Sequence, residues 1–325
     1  MIGPFVHHID PVIAQPAGIC LWWYGLSYAT GFLSLHLWVR RSRGRLGLSL
    51  AEVDRLTLFL VTGVLLGGRL VEVFFYEWPF YSHHPQLIPA FWLGGMATHG
   101  LLLGAVTGAW LFCRSHQKLL LSLLDELAVP AALIMGLGRI GNFIDGQIVG
   151  STTHVWWGVK FPDAEGFRHP VVLYDGLKNL LLIPALLMIR RYDQRQGTLT
   201  GHFIFWYGFL RIFVDVFREY PMTLLGIATG QCLNIAMAVA GLGLLAWSRR
   251  QTGGTRSVAS IREPWPRRSV ALHKRNSFPR FAFAGLLAFC LTIPSDWTQD
   301  IPARYGKRHP GLTYSKLYHP IGGVR

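Results

Sequence analysis

Apolar residues along this chain fall into long, nearly uninterrupted runs, each closed by a short polar stretch, and not into the alternating patterns of a half-buried strand. Seven runs are long enough for a bilayer-crossing helix of about 20 residues. They lie near 18–38, 56–76, 91–112, 119–141, 171–189, 199–217 and 225–247. The pattern predicts an all-α polytopic membrane protein with seven transmembrane helices. A further apolar run, 281–294, is short for a crossing. Its length suits an interfacial or re-entrant segment, while its basic flank and the Ser295-Asp296-Trp297 that follows also fit a marginal eighth crossing of signal-anchor type. The predicted organisation is therefore a transmembrane core over 1–250, a basic cytoplasmic linker over 251–280, and a segment with tail over 281–325.

Composition agrees. Of 325 residues, 51% are hydrophobic and only 15% charged, against roughly a quarter charged in a soluble domain. Mean hydropathy is +0.33. The net charge of +14 would permit nucleic-acid binding, but the basic residues cluster at the ends of apolar runs and line no single polar face. That distribution reads as topology. Arg40, Arg41, Arg43 and Arg45 follow the first run, Arg114 and Lys118 the third, Arg190, Arg191 and Arg195 the fifth, and Arg249 and Arg250 the seventh. The intervening loops are poor in lysine and arginine, so the expected orientation has the amino terminus outside and these clusters in the cytoplasm. Met1–Pro16 has no basic leader, and a cleaved signal peptide is not expected.

Cys20, Cys113, Cys232 and Cys290 are widely spaced, with no Cys-x-x-Cys and no histidine at ligand spacing. Single thiols in or near helices are expected, without a disulfide frame or a metal site. Leu287-Ala-Phe-Cys290 has a faint likeness to a lipid-attachment box. Phe289 is too large for the position before the cysteine, so the expectation is an ordinary helix cysteine.

Several polar residues fall where a bilayer penalises them. Gly138-Arg-Ile-Gly-Asn-Phe-Ile-Asp-Gly-Gln-Ile-Val-Gly150 sets Arg139 and Asn142 at the exit of the fourth run, among glycines that let backbone approach a ligand. An arginine at membrane depth is costly and usually functional. Arg69 and Glu72 are three apart on the second run, and Arg211 and Asp215 four apart on the sixth; either pair could neutralise itself. Three guanidinium groups against two acids nonetheless leave positive charge that would suit a lipid phosphate. His99, between glycines on the third run, is a side chain able to take a proton near neutral pH, although a lone helix histidine is more often structural.

With these residues in place, the chain resembles the prolipoprotein diacylglyceryl transferase family over roughly 15–250. The likeness rests on Gly138-Arg-x-Gly-Asn-Phe143, Trp23-Tyr24-Gly25, Gly67-Gly-Arg69-Leu, His99-Gly100, His169-Pro170 with Leu173-Tyr174, and Tyr207-Gly208 with Arg211 and Phe217-Arg218-Glu219. The resemblance implies transfer of a diacylglyceryl group from phosphatidylglycerol to the thiol of a lipobox cysteine in a prolipoprotein signal peptide, in the bacterial inner membrane. It implies no cofactor and no metal, and its partners are lipid and precursor, with no nucleic acid. His99 is the expected base, with Arg139 and Arg211 clamping the phosphate. Asn142, Tyr24, Arg69, Tyr207 and Gly150 are the further expected substrate contacts.

Five substituted positions and one added segment qualify the likeness. Asp145 and Gln147 stand where the family pattern has Asn and Glu, Leu101 replaces a glycine, and Val172 and Asp175 replace Gln and Glu around Leu173-Tyr174. Residues 251–325 have no counterpart in the family core. Gln147 lacks a carboxylate that Asp145 could partly replace. These differences leave open an alternative, a relative that binds an anionic phospholipid without the transfer reaction.

Overall fold

A computed structural model describes residues 5–193, 195–218, 223–224, 227–250, 277–295, 300–318 and 320. The expected helices are present, with shifted ends. The first, α1 (Trp23–Leu46), starts later than its apolar run because Leu21–Trp22 pairs antiparallel with Val12–Ala14. It then continues through the arginine cluster to Gly47, which adopts a left-handed conformation (φ 59°) and closes the helix. Next, α2 (Leu50–Val71) starts earlier than its run, at a capping box in which Ser49 and Glu52 satisfy each other's backbone N–H groups. It runs on into a wider turn over Glu72–Tyr76.

The third run yields α3 (Thr98–His116), preceded by short turns at Pro85–Leu87 and Phe91–Leu93. After it come α4 (Leu120–Asp145), α5 (Val171–Tyr192), α6 (Thr198–Asp215) and α7 (Thr229–Arg250). Four of these helical stretches, Leu50–Tyr76, Leu120–Asp145, Val171–Tyr192 and Gly230–Arg250, are long and apolar enough to cross a membrane on length and composition alone. α1, α3 and α6 span about 27 Å or more at 1.5 Å per residue, and the polar residues they carry include part of the site.

Neighbouring helices pack as α1 on α4, α2 on α3, α4 on α5, α5 on α6 and α6 on α7. The α2–α3 crossing is made by glycine. Gly63 and Gly67 face Gly100, Gly104 and Gly108 so closely that a Cβ at Gly67 would lie 2.7 Å from the Gly104 Cα. Without a large hydrophobic driving force between helices in lipid, such backbone approach supplies the packing. It also fixes the start of α3, where Thr98 and His99 sit.

The arginine-bearing loops gather at one end of the bundle. There Glu126 of α4, almost fully buried, takes Arg190 at 2.5 Å and Arg45 at 3.0 Å. Asp125 accepts from the backbone N–H groups of Gly197 (2.6 Å) and Thr200 (2.8 Å), which pins the start of α6 to α4. The opposite end carries residues 5–22, the 146–170 loop and the carboxy-terminal tail. Phe5–Val6 pairs parallel with Val159–Lys160, and buried His7 lies within 2.8 Å of the Phe143 carbonyl. Burial pushes the His7 pKa down.

The run at 281–294 forms α8 (Phe278–Cys290), thirteen residues or about 20 Å long, packed against α1 and α2. A helix of that length does not cover a hydrocarbon core of about 30 Å by itself. Beyond it a short helix, α9 (Ile301–Tyr305), opens the described part of the tail. Most of the expected linker, 251–276, lies outside the described residues. The four cysteines are unbridged.

Candidate active site

Arg139 and Asn142 stand one helical turn apart near the end of α4, and the Arg139 Nη1–H donates to Asn142 Oδ1 at 3.0 Å. The hub beneath them is Asp175, early in α5 and fully buried. Arg139 Nε lies 2.5 Å from Asp175 Oδ2, and Lys178 Nζ, one turn further along α5, lies 3.1 Å from Oδ1. Arg211 of α6 pairs with the same carboxylate through Nη1 and with Asp215 through Nε at 3.0 Å. Lys178 Nζ also donates to Asn179 Oδ1 and sits 4.0 Å from the centre of the Tyr207 ring. Asn234 of α7 donates to the other oxygen of Asp215 at 2.8 Å. Three cations thus share two carboxylates, and this five-residue cluster carries one more positive than negative formal charge. The Arg139 and Arg211 side chains are 10–12% exposed, so their charges are little screened.

A cavity of about 120 Å3 opens beside this cluster. Its polar end is made by Tyr24, Tyr28, Thr98, Arg139 and Asn142, and its deeper walls by apolar side chains such as Phe32, Leu35 and Leu127. Tyr24 and Tyr28 share a hydroxyl–hydroxyl hydrogen bond of 2.9 Å. Arg139 Nη2 reaches the Thr98 hydroxyl at 3.4 Å, which ties α4 to the start of α3. A space cationic at one end and apolar at the other is matched to an anionic amphiphile.

The prolipoprotein diacylglyceryl transferase family model matches residues 11–247. The chain is 38% identical over 257 residues to the phosphatidylglycerol–prolipoprotein diacylglyceryl transferase of Geobacter sulfurreducens, covering 76% of this chain and 98% of the relative. It is 38% identical over 261 residues to the protein so named in Nitrosomonas europaea, covering 77% and 94%. A third, from Pseudoalteromonas atlantica, is 35% identical over 254 residues, covering 75% and 90%. The chain belongs to the prolipoprotein diacylglyceryl transferase family.

In this family member the predicted site residues divide. Arg139, Arg211, Asn142, Tyr24 and Tyr207 converge on the cluster or its cavity. His99, half-buried in the first turn of α3, has Arg211, Asp215 and Arg139 as its charged neighbours. Gly150 lies in the adjoining loop, bridged to Arg218, with its N–H donated to the His169 carbonyl at 3.1 Å. Asp145 ends α4, nearly fully buried, and Gln147 follows with its Nε2 buried and without a hydrogen bond among the described residues.

Arg69 is placed elsewhere. Only 2% exposed, it donates to the carbonyls of Ile88 (2.9 Å), Leu87 (2.9 Å), Ala90 (3.2 Å) and Gly94. The Tyr81 ring lies 5.1 Å from its guanidinium carbon. Those bonds organise the turns that lead into α3, so Arg69 shapes the scaffold behind His99 and contributes no donor to the cavity.

Three residues were missed by the sequence reading as site components: Asp175, recognised only as a departure from the family pattern, Lys178 and Ser295. The Asp175–Lys178 spacing of three on an otherwise apolar helix was a usable signal, of the same kind as Arg69–Glu72. Ser295, whose hydroxyl accepts from Asn142 Nδ2 at 2.9 Å, carried none.

Proposed function

We propose that this protein moves a diacylglyceryl group from phosphatidylglycerol to a cysteine thiol of a prolipoprotein, forming a thioether and releasing glycerol phosphate. The observation that carries the reading is the Arg139–Asp175–Arg211 cluster at the polar mouth of an apolar cavity, in a chain of this family. Arg139 and Arg211 hold the donor's phosphate diester, and the acyl chains lie toward the apolar walls and the bilayer. The thiolate sulfur attacks the glyceryl carbon that bears the phosphate ester. The carbon–sulfur bond forms as the carbon–oxygen bond breaks, and the electron pair leaves on phosphate. His99 takes the thiol proton, which matters because an ordinary thiol is only a minority thiolate at neutral pH. Negative charge grows on the leaving oxygen, and donors already fixed in a dry site favour that growth more than water does.

Asp175 and Asp215 act through the arginines, fixing the direction of both guanidinium groups without neutralising the cluster. Asn142 orients Arg139 and reaches toward the headgroup. The arginine-bearing end of the bundle is cytoplasmic and the amino terminus outside, which puts the site toward the outer half of the bacterial inner membrane. The acceptor presents its cysteine from a signal peptide at that level.

The test is reconstitution of the full chain with phosphatidylglycerol and a prolipoprotein, reading the thioether by mass spectrometry. Arg139→Ala should lower transfer at least ~100-fold, as removal of a charge-stabilising donor does elsewhere. Near-normal transfer by that variant would remove Arg139 from the chemistry.

A further inference from the structure

Residues 277–295 and 300–318 lie beyond the family match, which ends at residue 247, yet they pack against the end of the bundle that carries the site. α8 sits in the groove between α1 and α2. Arg280 Nε is 2.9 Å from Asp54 Oδ2 near the arginine-bearing end, and Phe283 stacks on His36 at 5.1 Å. The helix then runs toward the site end and stops at Cys290, which is fully buried among side chains that include Tyr24 and Tyr28.

Two of its contacts there are made by backbone. The Cys290 carbonyl lies against Gly25, where any Cβ would collide with it and would stand 2.8 Å from the Leu291 Cα. The Trp22 N–H donates to the Leu291 carbonyl at 2.8 Å. Contacts of that kind hold a chain without reading its side chains. Five residues past the cysteine, the Ser295 hydroxyl takes the hydrogen bond of Asn142, itself bound to Arg139.

The tail then latches onto the end of α4. The Tyr305 hydroxyl donates to Asp145 Oδ2 at 3.2 Å, and Arg308 Nη2 donates to the Asp145 carbonyl at 2.7 Å. His309 lies 2.7 Å from Asp10, and the Tyr305 ring packs edge-on to Trp22. Asp145 is one of the positions at which this chain departs from the family pattern, and its partners are residues of the added tail.

We infer that residues 277–295 are an acceptor mimic in cis. A basic residue, an apolar helix and a terminal cysteine, followed by the turn at Leu291–Ser295, occupy in that order the groove between α1 and α2, and that groove is the seat of the acceptor's helix and cysteine. The acceptor groove is self-occupied while the cavity beside Arg139 stays open, and the mimic leaves before a precursor is bound. This inference rests on the proposed transfer reaction. An occupancy near 90% raises the apparent KM for the acceptor about tenfold, because only the vacant fraction binds. It leaves kcat unchanged, since saturating acceptor displaces the mimic.

The experiment uses the full chain in phosphatidylglycerol vesicles with a synthetic acceptor peptide carrying a basic residue, an apolar helix and a cysteine. Two release variants are compared with wild type: R280E with F283S, which loosens α8, and Y305F with R308A, which loosens the latch. Each should lower the acceptor KM about tenfold at unchanged kcat, and protease sensitivity at 277–318 reports release. A peptide of residues 277–295 added to a released variant should inhibit competitively with acceptor and not with lipid. An unchanged KM in a variant whose segment is released, or failure of the peptide to compete, overturns the inference. So does a diacylglyceryl mass on Cys290, which would make the segment a substrate. If no form of the protein transfers lipid, the failure belongs to the proposed reaction and not to the mimic.

Discussion

Replacing Asp175 with asparagine keeps the shape of the hub and removes its charge. Arg139 lies 2.5 Å and Lys178 3.1 Å from this carboxylate, with Arg211 in direct contact. At such separations and an effective dielectric constant near 20, each attraction is worth about 5 kcal/mol before desolvation is counted. Measured losses on breaking buried pairs are smaller, about 3–5 kcal/mol, because the charges were costly to bury at all. The variant should therefore lose thermal stability in detergent by that order. The substitution also leaves three cations facing Asp215 alone, which strengthens attraction for an anionic headgroup while releasing both arginines from their fixed directions. Binding and catalysis should separate: KM for phosphatidylglycerol holds or falls, and kcat drops ~100-fold or more, since only interactions improved in the transition state raise the rate. Adding Lys178→Met should recover part of the stability by removing one stranded cation, without recovering kcat. Measuring kcat and KM by thioether mass spectrometry for wild type and the two variants checks this. An Asp175→Asn protein with wild-type kcat and melting behaviour would refute the idea that this carboxylate aims the arginines.

Other perturbations separate scaffold from chemistry. Arg69→Ala strands four carbonyls, two of them bonded at 2.9 Å; at about 1 kcal/mol or more each it should lower the melting temperature by roughly 10 °C, and a fall in kcat at unchanged stability would return Arg69 to the site. Gly104→Val forces α2 and α3 apart at their glycine contact and should reduce folded yield in fluorescence-detected size exclusion, with its exposed neighbour Leu103→Val as the harmless control. His99→Gln should fold normally and lose transfer at neutral pH, whereas normal transfer by a folded His99→Gln protein would remove His99 as the base.

The helices were legible because a membrane span is written locally, as an unbroken apolar run closed by charge. Their ends were less so. The start of α1 depends on the pairing of Leu21–Trp22 with a segment upstream, and α2 begins at a capping box outside its apolar run. Arg139, Asn142 and Arg211 stood out as candidates because charge or amide at membrane depth has few bland explanations, and the structure brings the three into one cluster. Arg69 stood out for the same reason, yet the carbonyls that take up its guanidinium lie 18 to 25 residues downstream, where its spacing from Glu72 could not point. Asp175 was visible as an unusual residue but not as a hub, because Arg139 and Arg211 reach it from two other helices. The docking of α8 was hidden altogether. Its sequence shows a short apolar helix ending in cysteine, and nothing in it says that Gly25 and Trp22 form a backbone-reading seat for that cysteine.

The central claim is that Arg139 and Arg211 hold the phosphate of the lipid donor. Solid-state NMR of the arginine-labelled full chain in phosphatidylglycerol bilayers measures it through phosphorus–nitrogen dipolar coupling. The account predicts a contact-range coupling to guanidinium nitrogens in the wild type, over and above that of the surface arginines, that weakens in Arg139→Lys and falls to the surface level when Arg211 is also replaced by lysine. A coupling unchanged by both replacements, or none in a wild type that is transferring lipid, would contradict it.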